Sequence, residues 1–210
     1  TLNPIGNSVK QSWSNALAGK SGIGRITRFD ASELKTQIAG ELKEFDSSSV
    51  ISSKEAKRMD QFTVYGIYAA NEAVEHSGLN FEKEDPEACG CIVGVGMGGI
   101  ETFQDQLRKI DSKGPSRVSP FFIPMMIPDI LAGHIAIRYQ LMGHNYSLAS
   151  ACASSAHAIG AAYNAIAFGQ QKIMVCGGAE SVLIPVAVAG FNSARALSVR
   201  NDDPERASRP

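Results

Sequence analysis

From Tyr139 to Gln171 the chain runs for 33 residues without a single Asp, Glu, Lys or Arg. A stretch of that length belongs either in a membrane or in the interior of a layered fold. His144, Asn145, Ser147, Ser150, Ser154, Ser155, His157 and Asn164 interrupt it, and it contains no run of about eighteen apolar residues such as a membrane span requires. The expectation is therefore a central layer buried on both faces, as in a parallel sheet covered by helices. A second uncharged stretch, Ser181 to Ala194, follows close behind. The 210 residues are 44% hydrophobic, enough for a sizeable core. A net charge of −1 leaves no global basic field to hold nucleic acid or an anionic membrane.

Periodicity supports an α/β chain. After the turn residues Asn3, Pro4, Gly6 and Asn7, an apolar stripe of Val9, Trp13, Ala16 and Leu17 predicts a helix. Ser52 and Glu55 have capping-box spacing at the head of a long helix. That helix aligns Met59, Phe62, Gly66, Ala70 and Ala73 and stops near Gly78. Its small residues at 66, 69, 70 and 73 predict close approach of another element. A buried strand is expected at 90–95, then a helix from about Ile100 to Gly114 with Phe103, Leu107 and Ile110 inward. Another helix fits 129–140. Strand 146–151 then leads directly into helix 153–168, and strand 172–176 follows. With no internal repeat and no low-complexity linker, this β-α-α-β-α-β order argues for one layered unit over 1–210.

The richest chemistry lies in SLASACASSAHAIG. Cys152 falls where a strand meets a small-residue helix. A thiol near a first helical turn meets unpaired N–H groups and the positive end of the helix dipole, which favour thiolate. An adjacent N–H can bind a developing oxyanion. The alternative is a structural cysteine, the usual fate of a free thiol. Spacing alone leaves both open. His157, five residues on, stands about 140° around the helix from Cys152 and is a poor base for it. It is expected, with His134 and His144, to be structural or to support the site from behind its reacting groups, and His76 to end a helix. Cys91 and Cys176, inside apolar strands, are expected to be structural, and Cys89 carries no assignment. Four cysteines are too few for a disulfide scaffold, none of their spacings suits zinc, and a reducing, cytoplasmic compartment is expected. TLNPIGNSVKQSW shows no signal-peptide pattern.

GVGMGG (Gly94 to Gly99) matches the dinucleotide fingerprint between a strand and a helix. A dinucleotide site also needs an acid ending a second strand about twenty residues on; here DSKGPSRVSPFF supplies neither. The glycines are better explained by a tight turn beside a pocket into which Met97 projects. VSPFFIPMMIP (118–128) is apolar and broken by proline, so no regular helix is expected there. It suits core packing, an oligomer contact or the wall of an apolar tunnel. Lys54, Lys57 and Arg58 make a basic cluster interleaved with acids. Such a cluster is either a solvated face or a contact for an acidic partner.

With Cys152 in S-A-C-A-S-S-A-H, the sequence resembles the β-ketoacyl-[acyl-carrier-protein] synthases, specifically the elongating type II class. The likeness spans nearly the whole chain. Its motifs are N-P-I-G-N at 3–7, W-x-x-A-L-x-G-K-S-G-I at 13–23, F-D at 29–30 and K-E-x-K-R-M-D at 54–60. They continue with G-x-G-M-G-G at 94–99, S-P-F-F-I-P at 119–124, C-G-G-A-E at 176–180, G-F-x-S-A-R-A-L-S at 190–198 and A-S-R-P at 207–210.

The resemblance implies a thiolase-like αβαβα layered fold built from two similar halves, usually as a homodimer, of which this chain is the N-terminal half. The glycine-rich opening strand of such enzymes has no counterpart before Thr1. The resemblance also implies an acyltransferase of fatty acid biosynthesis. Cys152 takes an acyl group from acyl-carrier protein as a thioester, and malonyl-acyl-carrier protein is decarboxylated and condensed with it. No cofactor is implied beyond the phosphopantetheine that arrives on the carrier protein, and no metal, nucleic acid or membrane. By position, Met97 gates the acyl pocket, Phe191 lines it and Phe122 is supplied across the dimer interface. Lys54, Lys57, Arg58 and Arg195 meet the carrier protein. The family's two active-site histidines, its lysine and its second oxyanion loop match nothing here, so these 210 residues alone are expected not to complete a condensation. A polyketide ketosynthase subunit shares most of these motifs, and a coenzyme-A-dependent thiolase would also place a cysteine on such a helix, though around C-S-S-G.

Overall fold

The computed structural model describes residues 1–208; Arg209 and Pro210, the end of the A-S-R-P motif, lie outside the described residues. In chain order the elements are α1 (Val9–Leu17), β1 (Ile23–Arg25), β2 (Ile38–Gly40), α2 (Ser53–Ala56), α3 (Gln61–Ser77), β3 (Cys89–Gly94) and α4 (Ile100–Lys113). There follow α5 (Phe122–Met126), α6 (Ile130–Tyr139), β4 (Asn145–Leu148), α7 (Ser154–Ala167), β5 (Ile173–Gly178) and α8 (Pro185–Ser193). They gather into two compact units, one of Thr1–Asp46 with the segment from Val182 onward, the other of Ser47–Ser181.

The Ser47–Ser181 unit is built on a three-stranded parallel sheet, β4-β3-β5. Ile92 of the central strand stands opposite Tyr146 and Cys176, and Gly94 opposite Leu148 and Gly178. β3 is buried along its whole length. Since strand side chains alternate, both of its faces are covered. Ile92 packs with Ala158 and Ala162 of α7, and Leu148, Ala161 and Met174 close round them. Small residues on α3 do bring a neighbour close: a Cβ on Gly66 would collide with the Leu131 side chain of α6.

Several expectations are corrected here. The Ser52–Glu55 capping box forms, but it opens only the short α2. The long helix restarts at α3, capped by Asp60. That carboxylate is 2% exposed. It accepts the Phe62 N–H at 3.3 Å through one oxygen and the Thr102 N–H at 2.9 Å through the other, so it caps the first turns of α3 and α4 together. On α4 the expected inward residues Phe103, Leu107 and Ile110 are exposed, while Thr102 and Gln106 are buried. At Gln106 the reason is polar, its side chain accepting the Ser119 N–H at 2.8 Å, while at Thr102 the backbone N–H donates to Asp60. Residues 122–126 form a helical turn despite Pro124, because a proline in a first turn forfeits no helical hydrogen bond. β4 ends at Leu148, short of the expected 151. The uncharged stretch is only partly enclosed: Ile159, Tyr163, Ile166 and Phe168 of the α7 region are exposed. No helix among the described residues is long and apolar enough to cross a membrane.

In the other unit, β1 and β2 pair antiparallel with Ile23 opposite Gly40. The segment after α8 is tied in by polar contacts. Thr36 N–H donates to Asn192 at 3.0 Å, its hydroxyl to the Ser198 carbonyl at 2.8 Å, and Gln37 N–H to Asn201 at 2.9 Å. α1 forms over the expected residues with Ser8 as its N-cap. Its apolar stripe nevertheless faces outward, Trp13 being 66% and Leu17 71% exposed. The buried position is Ser12, whose hydroxyl accepts from the Asn3 amide at 2.9 Å and donates to the Gly6 carbonyl at 3.3 Å.

Candidate functional site

A parallel sheet delivers three chain segments to the carboxyl ends of its strands, where such sheets bind ligands. Here those segments are 95–99 after β3, 149–153 after β4 and 179–181 after β5. Two of them are tied to the ends of neighbouring strands by backbone hydrogen bonds: Val95 N–H to the Leu148 carbonyl of β4 at 3.0 Å, and Ala179 N–H to the Gly94 carbonyl of β3 at 3.2 Å.

Cys152 stands in the middle segment, exposed, two residues before α7 begins. The residue before it, Ala151, has φ +52°, a left-handed conformation that costs a non-glycine residue energy. Neighbouring hydroxyls hold that bend. Ser154 Oγ accepts the Ser150 N–H at 2.9 Å and donates to the Ala151 carbonyl at 2.7 Å. Ser150 Oγ is itself hydrogen-bonded to His157 Nδ1 at 2.7 Å. His157 therefore braces the bend from the side, in keeping with the structural role its spacing predicts. The first turn of α7 lies so close to the end of β3 that a Cβ on Gly94 would run into the Ser154 and Ser155 backbone. Among the other thiols, burial pushes Cys91 up to about 12 and also raises Cys89 and Cys176. Cys176 is exposed rather than enclosed in its strand.

The glycine segment makes the tight turn expected of it. Gly98 has φ +68°, and a Cβ there would also press on the Met126 carbonyl and on Pro128. Met97 is 45% exposed at the turn. Glu180 fills the role a phosphate would take in a dinucleotide site: its carboxylate accepts the N–H groups of Gly96 at 2.8 Å and Met97 at 3.0 Å. An anion-binding loop already occupied by the chain's own anion is not a phosphate cradle. Burial raises the Glu180 carboxyl above the usual carboxylate range, against the opposing pull of backbone N–H groups at 96, 97, 98 and 181.

The remaining expected site residues divide between the two units. Phe122 stacks on Phe103 with ring centroids 6.2 Å apart. Lys54, Lys57 and Arg58 are exposed, and the Arg58 guanidinium lies 4.7 Å over the Phe121 ring, joining the basic cluster to the 118–128 segment. In the Thr1–Asp46 unit, Phe191 lines a cavity of about 420 Å³ with Ile23, Ile38, Val188 and Leu197. Arg195 follows α8 there, exposed and with φ +54°. Sequence reasoning missed the parts played by Ser150, Ser154 and Glu180. Only Glu180 left a signal, as the one charged residue between Lys172 and Arg195.

The parallel sheet, with the strained Cys152 bend and the glycine turn at its carboxyl edge, belongs to the thiolase-like fold class. The family profile described as "Beta-ketoacyl synthase, N-terminal domain" matches residues 1–210, and the chain belongs to that family. It is 43% identical over 209 residues to 3-oxoacyl-[acyl-carrier-protein] synthase 2 of Synechocystis sp., covering all of this chain and 50% of that protein. A beta-ketoacyl synthase from Burkholderia phymatum superimposes with a TM-score of 0.86 at 27% identity, over 100% of this chain and 52% of that one. A type II polyketide acyl-carrier protein in complex with its ketosynthase bound to the hexaketide gives 0.79 at 25% identity, over 93% and 53%. The chain thus spans about half the length of the curated relatives it matches.

Proposed function

We propose that this chain supplies the nucleophilic half of a fatty-acid-elongating 3-oxoacyl-[acyl-carrier-protein] synthase working in the cytoplasm as a homodimer. Residues 1–210 form its N-terminal domain. The observation that carries the reading is the exposed Cys152 on its strained bend at the sheet edge. The 43% identity to a 3-oxoacyl-[acyl-carrier-protein] synthase 2, against 25% to the polyketide complex, favours fatty-acid over polyketide substrates.

In the first half-reaction the Cys152 thiolate attacks the carbonyl carbon of an acyl thioester. Its own amide N–H stabilises the oxyanion. The carbon–sulfur bond to the carrier's phosphopantetheine then breaks, and that thiolate leaves and is protonated. In the second, malonyl thioester loses CO₂, and the freed electron pair forms a carbon–carbon bond to the acyl-cysteine carbonyl. Cys152 departs as thiolate, leaving a 3-oxoacyl thioester two carbons longer. One thiol serves both halves because it is both a good nucleophile and a good leaving group. By the family resemblance, Met97 is assigned as the gate for the acyl chain, Phe191 as an acyl contact on the Thr1–Asp46 unit, and Phe122 as an acyl contact supplied by a second protomer. Lys54, Lys57 and Arg58, and on the other unit Arg195, are assigned to the acidic carrier protein; the ketosynthase complex among the structural relatives supports that class of partner. No cofactor beyond the carrier's phosphopantetheine is proposed. Intact-mass analysis after incubation with an acyl-carrier-protein thioester tests the assignment on the full native-length protein. An acyl adduct in wild type and none in Cys152→Ala is expected; a folded wild type that gains no acyl mass overturns it.

A further inference from the structure

The turn that presents Met97 is fixed at both ends and held in the middle by one side chain. Upstream, Val95 N–H is bonded to the Leu148 carbonyl at 3.0 Å. Downstream, Gly99 N–H is bonded to the Met126 carbonyl at 3.0 Å, and a Cβ on Gly98 or Gly99 would press on the Met125–Pro128 backbone or ring. Between these anchors, the N–H groups of Gly96 and Met97 point at Glu180, at 2.8 and 3.0 Å. The same segment abuts the nucleophile bend: a Cβ on Gly96 would lie 3.6 Å from the Ala151 carbonyl and 2.7 Å from the Glu180 carboxylate.

Methionine is unbranched and adaptable, so it fills whatever shape it is offered. A methionine selects between ligands only when its backbone is held still. We propose that Glu180 is the positioning residue for acyl-chain selection. Its carboxylate ties Gly96 and Met97 to the end of β5, fixing where the Met97 side chain stands beside the Cys152 bend, and hence which acyl chains enter. This rests on reading Cys152 as the acyl acceptor and Met97 as a wall of its pocket. It adds a residue that touches neither substrate nor thiol and acts through the loop.

The experiment measures rate constants for acylation of Cys152 in the full native-length protein across a series of acyl-carrier-protein thioesters of increasing chain length. For Glu180→Ala, loss of a charged acceptor shared by two N–H groups narrows the spread between the best and worst chain lengths about tenfold. Glu180→Gln keeps a carbonyl acceptor and restores most of the wild-type profile. In a Met97→Ala background, Glu180→Ala changes the profile by no more than about twofold, because the residue through which it acts is gone. An unchanged profile in Glu180→Ala, one scaled equally at every chain length, or an undiminished effect in the Met97→Ala background overturns the inference. Should Glu180→Ala fail to fold by circular dichroism, Glu180→Asp, with its carboxylate withdrawn by one methylene, carries the same comparison, and a wild-type profile there overturns it. A wild type that takes no acyl group overturns this inference together with the proposed function. An acylated wild type with an unaltered Glu180→Ala profile overturns this inference alone.

Discussion

At the scale of single residues, the site depends on what is absent as much as on what is present. Gly94 ends the central strand where the first turn of α7 leaves no room for a Cβ, the obstructing atoms being the Ser154 and Ser155 backbone. Backbone cannot swing aside as a flexible side chain can. Gly94→Ala should therefore cost about 1–3 kcal/mol as an overpacking change. It should also slow Cys152 acylation, because the turn it pushes is the one that holds the thiol. Thermal unfolding together with intact-mass acylation kinetics checks both. Gly133, inside α6 with nothing within 4 Å of a Cβ, is the control. Gly133→Ala should leave acylation alone and stabilise by about 0.5–1 kcal/mol through helix propensity. Equal effects of the two substitutions would show that the close approach at Gly94 is unimportant.

At the scale of elements, the least anticipated device is one buried carboxylate serving two helices. Gly99, at the head of α4, has no side chain with which to cap, and Asp60 supplies that cap from the start of α3. Two positive helix ends thus converge on one negative charge. The helix so placed directly follows the Met97 turn, which links capping to the site. Asp60→Ala should destabilise by about 1–3 kcal/mol, since it removes a cap from α3 and leaves a buried N–H on α4 unmet. Asp60→Asn, which keeps an oxygen for one of the two bonds, should lose less. Chemical denaturation of the two variants ranks them; an alanine variant no weaker than the asparagine one would refute the shared cap.

At the scale of the molecule, a net charge of −1 means that attraction for an acidic partner has to be local. The exposed Lys54, Lys57 and Arg58 are such a patch, next to the 118–128 segment through the Arg58–Phe121 contact. Reversing Lys54 and Lys57 to glutamate should raise KM for an acyl-carrier-protein thioester about tenfold at low salt, with the difference shrinking as ionic strength rises. KM for an acyl-pantetheine thioester, which has no acidic protein attached, should not move. Steady-state kinetics with both substrates over a salt series checks this. An equal rise for both substrates would place the effect in the pocket rather than in docking.

The sequence by itself determined the family, the fold class and most of the helices and strands. Those features are carried by local patterns: the small-residue frame of Cys152, the glycines of 94–99, and apolar repeats at helical and strand periods. It could not determine which helix face turns inward. On α1 and α4 the apolar stripes point out and Ser12, Thr102 and Gln106 point in, because the Ser12 and Gln106 side chains bond to Asn3 and Ser119, and Asp60 holds the α4 backbone at Thr102. These partners lie 9, 13 and 42 residues away in sequence, and no local period encodes them. The clamp of Glu180 on Gly96 and Met97 spans 84 and 83 residues. Composition marked that glutamate as the one charge between Lys172 and Arg195, but only the parallel pairing of β3 with β5 puts its carboxylate against the turn.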